Sequence, residues 1–157
     1  MKAVLQRVLS ARVVSDGTES GKISHGLYIL LGVERNDSRE DAVLLADKIS
    51  KLRIFSDENG KLNLSVNDVL GSVLVVSNFT LNANYAHGNR PDYFLGAAPQ
   101  LANELYEYFI ALMKERVSAV ESGVFGSDMK TEMVTDGPVT IIMESSVLKK
   151  KRGESFV

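Results

Sequence analysis

The sequence predicts an α+β domain in which a mostly antiparallel sheet carries two amphipathic helices. Three observations lead there. Short alternating or β-branched runs are separated by turn dipeptides such as Asp16-Gly17 and Asn59-Gly60. Two longer segments place apolar residues at helical spacing instead. The chain has 157 residues, 45% of them hydrophobic and 24% charged, enough to bury one core in one domain.

Taken in order, Val4, Gln6 and Val8, then Arg12-Val13-Val14-Ser15, read as strands that end at the turn Asp16-Gly17. A return strand closes near Ser24-His25-Gly26, and Leu27-Tyr28-Ile29-Leu30-Leu31 reads as a strand buried on both faces. Asp37 offers an N-cap with Glu40 three residues on. Ala42, Leu45, Ile49 and Leu52 then define an amphipathic helix over 38–53. Asn59-Gly60 predicts a hairpin joining Arg53-Ile54-Phe55 to the segment around Leu62. Ser72-Val73-Leu74-Val75-Val76-Ser77 reads as a central strand.

The stretch 82–98 has no period and is expected to be a long loop, and loops longer than ~12 residues in a compact domain are usually functional or disordered. Pro99 opens a second helix, with Leu101, Leu105, Tyr108, Phe109 and Leu112 as its apolar stripe. Two strands, 130–134 and 139–143, close the domain across Thr135-Asp136-Gly137-Pro138. Residues 1–148 form a single domain on this reading, and 149–157, with Lys149-Lys150-Lys151-Arg152, a flexible basic tail.

Composition narrows the chemistry. With no Cys, disulfides, thiol catalysis and thiolate metal sites are excluded. The two histidines, His25 and His87, have no partner at metal-ligand spacing, so neither metal nor cofactor is expected. No Gly-x-Ser-x-Gly elbow and no glycine-rich phosphate loop occurs. The N-terminal residues do not read as a signal peptide, and no apolar run approaches the ~18 residues of a membrane span. A cytoplasmic protein without membrane contact is expected. At a formal net charge of −2, bulk charge does not hold nucleic acid; any RNA must be gripped locally.

Two segments stand out. Ser77-Asn78-Phe79-Thr80-Leu81 ends an apolar strand in polar residues, a pattern that also suits plain backbone satisfaction. Asp136-Gly137-Pro138-Val139-Thr140 has the composition of a hairpin turn. With their neighbours they carry a resemblance. Ala3-Val4-Leu5-Gln6-Arg7-Val8, Gly26-Leu27, Leu31-Gly32-Val33-Glu34, Leu52-Arg53-Ile54-Phe55, Asn63-Leu64-Ser65-Val66, Gly88-Asn89-Arg90-Pro91, Gly123-Val124-Phe125-Gly126 and Asp128-Met129 follow in order around them. Over about 145 residues the chain resembles the D-aminoacyl-tRNA deacylases.

That resemblance implies a barrel-like core and hydrolysis of the ester in D-aminoacyl-tRNA, with glycyl-tRNA as a further substrate. It also implies a homodimer in which Gly137-Pro138, cis in the family, reaches into the partner's site and rejects L-amino acids sterically. Ser77, Asn78 and Thr80 become the expected catalytic residues, and Phe79, Leu81, Gly137, Pro138, Val139, Thr140, Arg7 and Met129 the substrate-binding ones. Their partner is the 3′-terminal adenosine of the tRNA with its amino acid. Three departures fall inside the motifs: Asn78 where the family usually has Gln, Thr135 where it has Asn, and Asp92-Tyr93 where Ser-Phe commonly follows Arg-Pro. They leave open a sister deacylase of relaxed chirality, or a non-catalytic module that binds the acceptor end.

Overall fold

The computed structural model describes residues 1–149. Strand β1 (Lys2–Ser15) runs for 14 residues and lends both edges to neighbours. One edge holds β8 (Met129–Glu144), antiparallel, from Lys2↔Glu144 to Ser15↔Met129. The other holds β3 (Gly26–Gly32) over Lys2 to Val8 and β2 (Thr18–Ile23) over Ala11 to Ser15. β6 (Ser72–Ser77) then joins β3 in parallel, and β7 (Val120–Ser122) joins β6 in parallel. Gly21 of β2 comes up against the backbone of Ser122 in β7, so the curled sheet nearly closes into a barrel. The hairpin predicted at Asn59-Gly60 forms between β4 (Phe55–Ser56) and β5 (Leu62–Leu64).

Side-chain alternation produces two cores. In β3 and β6 the odd positions Leu27, Ile29, Leu31, Val73 and Val75 face the helices, while Tyr28, Leu74 and Val76 fill the barrel. Both faces are thus dry, which is why these strands read as continuous apolar runs. β1 changes sides. Ala3 and Leu5 face the helices; Val8, Ala11 and Val13 face the barrel. The parity shift comes from a bulge: Val8 pairs with Thr135 and Ser10 with Val134, leaving Leu9 as the extra residue. Burial in the barrel raises the Tyr28 hydroxyl above its ordinary pKa, against a bond with Thr131.

Helix α1 (Arg39–Ser50) and helix α2 (Pro99–Arg116) pack together over the sheet through Ala42, Leu45, Ala46, Ile49, Leu105, Phe109 and Met113. Pro99 opens α2 as predicted, but the α1 cap lies one residue later than expected. Ser38 is the N-cap, and Asp41 closes the capping box. Tyr108, expected in the apolar stripe, is only partly buried and lies under the Arg39 guanidinium at 4.7 Å.

Two further features differ from the sequence reading. A third short helix, α3 (Ser145–Lys149), follows β8 and takes in Lys149, the first residue of the expected tail. The rest of that tail, 150–157, lies outside the described residues. More consequentially, 130–134 and 139–143 are not two strands of a hairpin. They are two halves of one strand, both paired with β1, because β1 is long enough to template both.

Asp41 ties α3 to α1. Its carboxylate accepts from Ser145 Oγ at 2.7 Å, from Ser38 N and Oγ at 2.9 and 3.0 Å, and from Lys149 Nζ at 2.8 Å. Burial works against its charge, but these donors outweigh burial and hold it well below the usual carboxylate range. A depressed folded-state pKa adds stability above the unfolded value of about 3.9, and the contribution fades as pH falls below it. Asp41→Asn is therefore expected to cost about 1–3 kcal/mol at pH 7. In urea titrations the gap to the unsubstituted protein should narrow below about pH 4.

Candidate active site

β3 and β6 run parallel, so their C-terminal ends lie side by side, and a cavity of about 450 Å³ opens there. That volume suits a small ligand; such sites span roughly 300–1,000 Å³. Leu31 and Val33 come from the end of β3, and Ser77, Asn78 and Phe79 from the end of β6. Tyr93, Gly96 and Ala97 close one side, the first turns of α2 another, and Phe125, Gly126, Ser127 and Met129 the last. The lining is mainly apolar.

After β6 the chain turns at once into a 3₁₀ helix, Phe79–Asn82. Asn78 caps it: its side-chain oxygen accepts from Thr80 N at 3.2 Å and from the Thr80 hydroxyl at 2.5 Å. Leu81 packs against Gly32, where a Cβ would come within 3.0 Å of Leu81 Cβ and 3.2 Å of the Asn78 carbonyl. Glycine is needed there to let the turn approach β3. Asn82 is fully buried and donates to Val33 O at 2.8 Å, fixing the turn to the end of β3. Asn82 was not among the expected site residues. An Asn opening a loop reads as turn chemistry, and only the tertiary contact reveals its bracing role.

Thr80 itself does not line the cavity. Its proton points to an amide oxygen, which is too weak a base to activate a nucleophile. Asn78 orients that hydroxyl and leaves its oxygen free to accept. Phe79 is 65% exposed, which rules out a core role; it lies at the cavity rim, edge-on to Tyr93 at 5.0 Å. Tyr106 lines the cavity with its ring only, because its hydroxyl is held between Val75 O at 3.0 Å and Gly123 O at 2.8 Å. Burial pushes that phenol well above its ordinary pKa.

The remaining expected residues assemble elsewhere. Between Gln6↔Thr140 and Val8↔Thr135 only Arg7 stands on β1, whereas β8 inserts 136–139, so Asp136-Gly137-Pro138-Val139 bulges out. The Gly137-Pro138 peptide is cis. Gly137 has φ +125, and a Cβ on it would lie 2.8 Å from Val139 N. Gly137 and Pro138 are exposed, Val139 leans on the helix-side core, and Thr140 pairs with Gln6. None of the four lines the protomer's own cavity.

Arg7, 8% exposed, clamps the bulge from beneath. Its Nε lies 2.9 Å from Asp136 Oδ2 and 3.3 Å from Asp136 O, and Nη1 donates to Ile54 O at 2.9 Å. Ser77, Asn78, Phe79 and Met129 therefore converge on the cavity. Arg7, Gly137 and Pro138 converge on a separate outward ridge. Among the described residues no three His, Cys, Asp or Glu side chains form a group able to hold a metal, and no helix is long and apolar enough to cross a membrane.

Comparison with known proteins places the chain in a family. The family model described as D-Tyr-tRNA(Tyr) deacylase matches residues 4–144. A protein of Dictyoglomus turgidum named D-aminoacyl-tRNA deacylase is 49% identical over 152 residues, 97% of each chain. A solved structure titled c-Myc DNA Unwinding Element Binding Protein aligns with TM-score 0.86 at 37% identity, covering 92% of this chain and 98% of that one. A second, a probable eukaryotic D-amino acid tRNA deacylase, aligns with TM-score 0.75 at 15% identity, over 91% and 98%, and shows the shared fold. The chain belongs to the D-Tyr-tRNA(Tyr) deacylase family.

Loss of the clamp should be measurable apart from catalysis. Arg7→Ala leaves the buried Ile54 carbonyl and the Asp136 carboxylate without their donor, and urea denaturation should register a loss of about 2–3 kcal/mol. Arg7→Lys should restore less than half of it, because an ammonium cannot span both partners as the guanidinium fork does.

Proposed function

We propose that this protein hydrolyses the ester of D-aminoacyl-tRNA, and of glycine carried by the wrong tRNA, as a homodimer in which each Gly137-Pro138 ridge completes its partner's cavity. The observation that carries the hydrolytic reading is the apolar cavity rimmed by Ser77, Asn78 and Phe79, in a chain of the deacylase family. The relatives' name supplies the substrate class. The dimeric part rests on an exposed, clamped ridge that has no role in its own protomer's cavity.

The reaction needs little machinery, because an aminoacyl ester is already activated. Water adds to the ester carbonyl carbon, the tetrahedral species collapses, and the bond from carbonyl carbon to ribose oxygen breaks. The ribose oxygen leaves with one of the water's protons, the other is released to solvent, and the amino acid departs as a carboxylate. The protein's part is to fix the ester and to oppose the developing oxyanion with preset dipoles. Ser77 and Asn78 sit where they can do so at the end of β6. Thr80 serves by fixing the Asn78 side chain through its hydroxyl rather than by attack. Chirality follows from space: main-chain carbonyls of the partner's ridge receive the α-ammonium group and leave no room for an L side chain.

Thr80→Ala should then lower kcat by about 10²-fold, the cost of one stabilising group, with no acyl-enzyme trapped on mass spectrometry in the unsubstituted protein. A covalent acyl-threonine would replace this mechanism. For the ridge, Gly137→Ala is expected to displace the bulge, since the new Cβ has no room beside Val139. Deacylation assays with D-, L- and glycyl-tRNA should show slower D turnover and weaker rejection of L. Light scattering should still give about twice 17.2 kDa. An active monomer, or unaltered discrimination, would refute the cross-subunit site.

A further inference from the structure

The segment 83–98 leaves the cavity rim as a shaped strap. Asn84 and Asp92 exchange backbone bonds of 2.8 and 2.9 Å, and Asn84 Nδ2 donates to Asp92 Oδ2 at 2.9 Å. Asp92 Oδ1 also accepts from Phe94 N, so the carboxylate that departs from the family pattern is engaged in bracing the strap. On the return side Arg35 N donates to Leu95 O and Ala97 N to Val33 O, both at 3.0 Å, anchoring the strap to the chain just beyond β3. A segment braced this way is ordered enough to present a surface.

That surface is aromatic. Tyr85 is 80% and Phe94 82% exposed, on the same strap as Tyr93, which meets Phe79 at the rim. Scattered exposed apolar residues are ordinary, but two exposed aromatic rings on one braced strap, whose Tyr93 lines the cavity, suit an interaction surface. The same segment carries Asn84, Asn89 and Arg90, and Arg90 is the one Lys or Arg in 83–98. With a chain net charge of −2, a polyanion gains little from long-range attraction, so its affinity has to come from contacts that do not depend on charge.

We propose that Tyr85 and Phe94 are stacking surfaces for the unpaired bases of an RNA 3′ end whose terminal nucleoside occupies the cavity. The proposal rests on the deacylase reading above. A ligand seated in the cavity must leave it past the rim, and unpaired bases just outside meet the strap. Flat aromatic faces hold such bases whatever their sequence, as single-strand binding surfaces do. Selection then stays with the amino acid inside, while the strap provides affinity common to all substrates.

The test compares the unsubstituted protein with the double variant Tyr85→Ser/Phe94→Ser on D-tyrosyl-tRNA and on 3′-O-D-tyrosyl-adenosine, at 50 and 200 mM salt. KM for the tRNA should rise roughly tenfold at both salt concentrations, as expected for lost stacking. Turnover of the adenosine ester should stay within about twofold. Tyr85→Phe/Phe94→Tyr keeps the ring faces and should behave as the unsubstituted protein. An unchanged KM, an equal loss on both substrates, or a change of oligomeric state in light scattering overturns the proposal; the last would make the strap a contact between copies of this chain. Anisotropy with a short single-stranded RNA separates the two readings. If the unsubstituted protein hydrolyses neither ester but the double variant still binds this RNA more weakly, the deacylase reading fails and the strap's role stands.

Discussion

β1 is hydrogen-bonded along both edges over most of its length, and the other elements take their places from it. With β8 on one edge and β3 and β2 on the other, it can neither slip nor flip without moving its apolar residues into the wrong layer. The bulge at Leu9 makes that constraint productive. It turns the strand's second half inward, so that one strand serves the helix-side core with Ala3 and Leu5 and the barrel with Val8, Ala11 and Val13. The mismatch opposite Arg7 produces the ridge: four residues of β8 face one residue of β1, and the surplus is displaced outward.

Cavity and ridge are held by different physics. The cavity is a packing feature, made by two parallel strands ending together under the start of α2, with Asn82 and the Asn78 cap fixing the turn between. The ridge is held by a buried guanidinium that satisfies a backbone carbonyl from the β4 region and both oxygen types of Asp136. Because Arg7 is enclosed, its side chain is already immobilised, and little ordering cost remains for a partner that meets the ridge. Rigidity of this kind suits discrimination by shape, where a yielding wall would admit the wrong enantiomer.

Two of the departures from the family pattern, Asn78 and Asp92, acquire local explanations. Asn78, one methylene shorter than Gln, folds back onto Thr80 and caps the 3₁₀ turn. Asp92 binds Asn84 and the Phe94 amide, so both of its carboxylate oxygens are engaged in bracing the strap. Thr135 pairs with Val8 at the edge of the bulge and leaves its side chain exposed; nothing in the structure explains its substitution for Asn.

Much of the fold was legible in the chain. Alternation, caps and turn dipeptides marked β2, β3, β6, the β4–β5 hairpin and both long helices, since each rests on neighbours in sequence. The motif around Ser77 also pointed to a site, because an apolar strand ending in polar residues is a local signal. What local pattern could not provide was partnership. Asp136-Gly137-Pro138 reads as a hairpin turn, yet β1 continues beneath it and makes it a bulge. β7 and α3 are too short to carry a period, and they exist because β6 and α1 offer them an edge and a carboxylate. The sequence by itself determined the elements and the residue types that gather at their ends. Tertiary structure alone decided that Ser77, Asn78 and Met129 would share a cavity while Arg7 and Gly137 would not, because β8 meets β1 at Ser15 through Met129 but bulges away from it opposite Arg7, eight residues along the same strand.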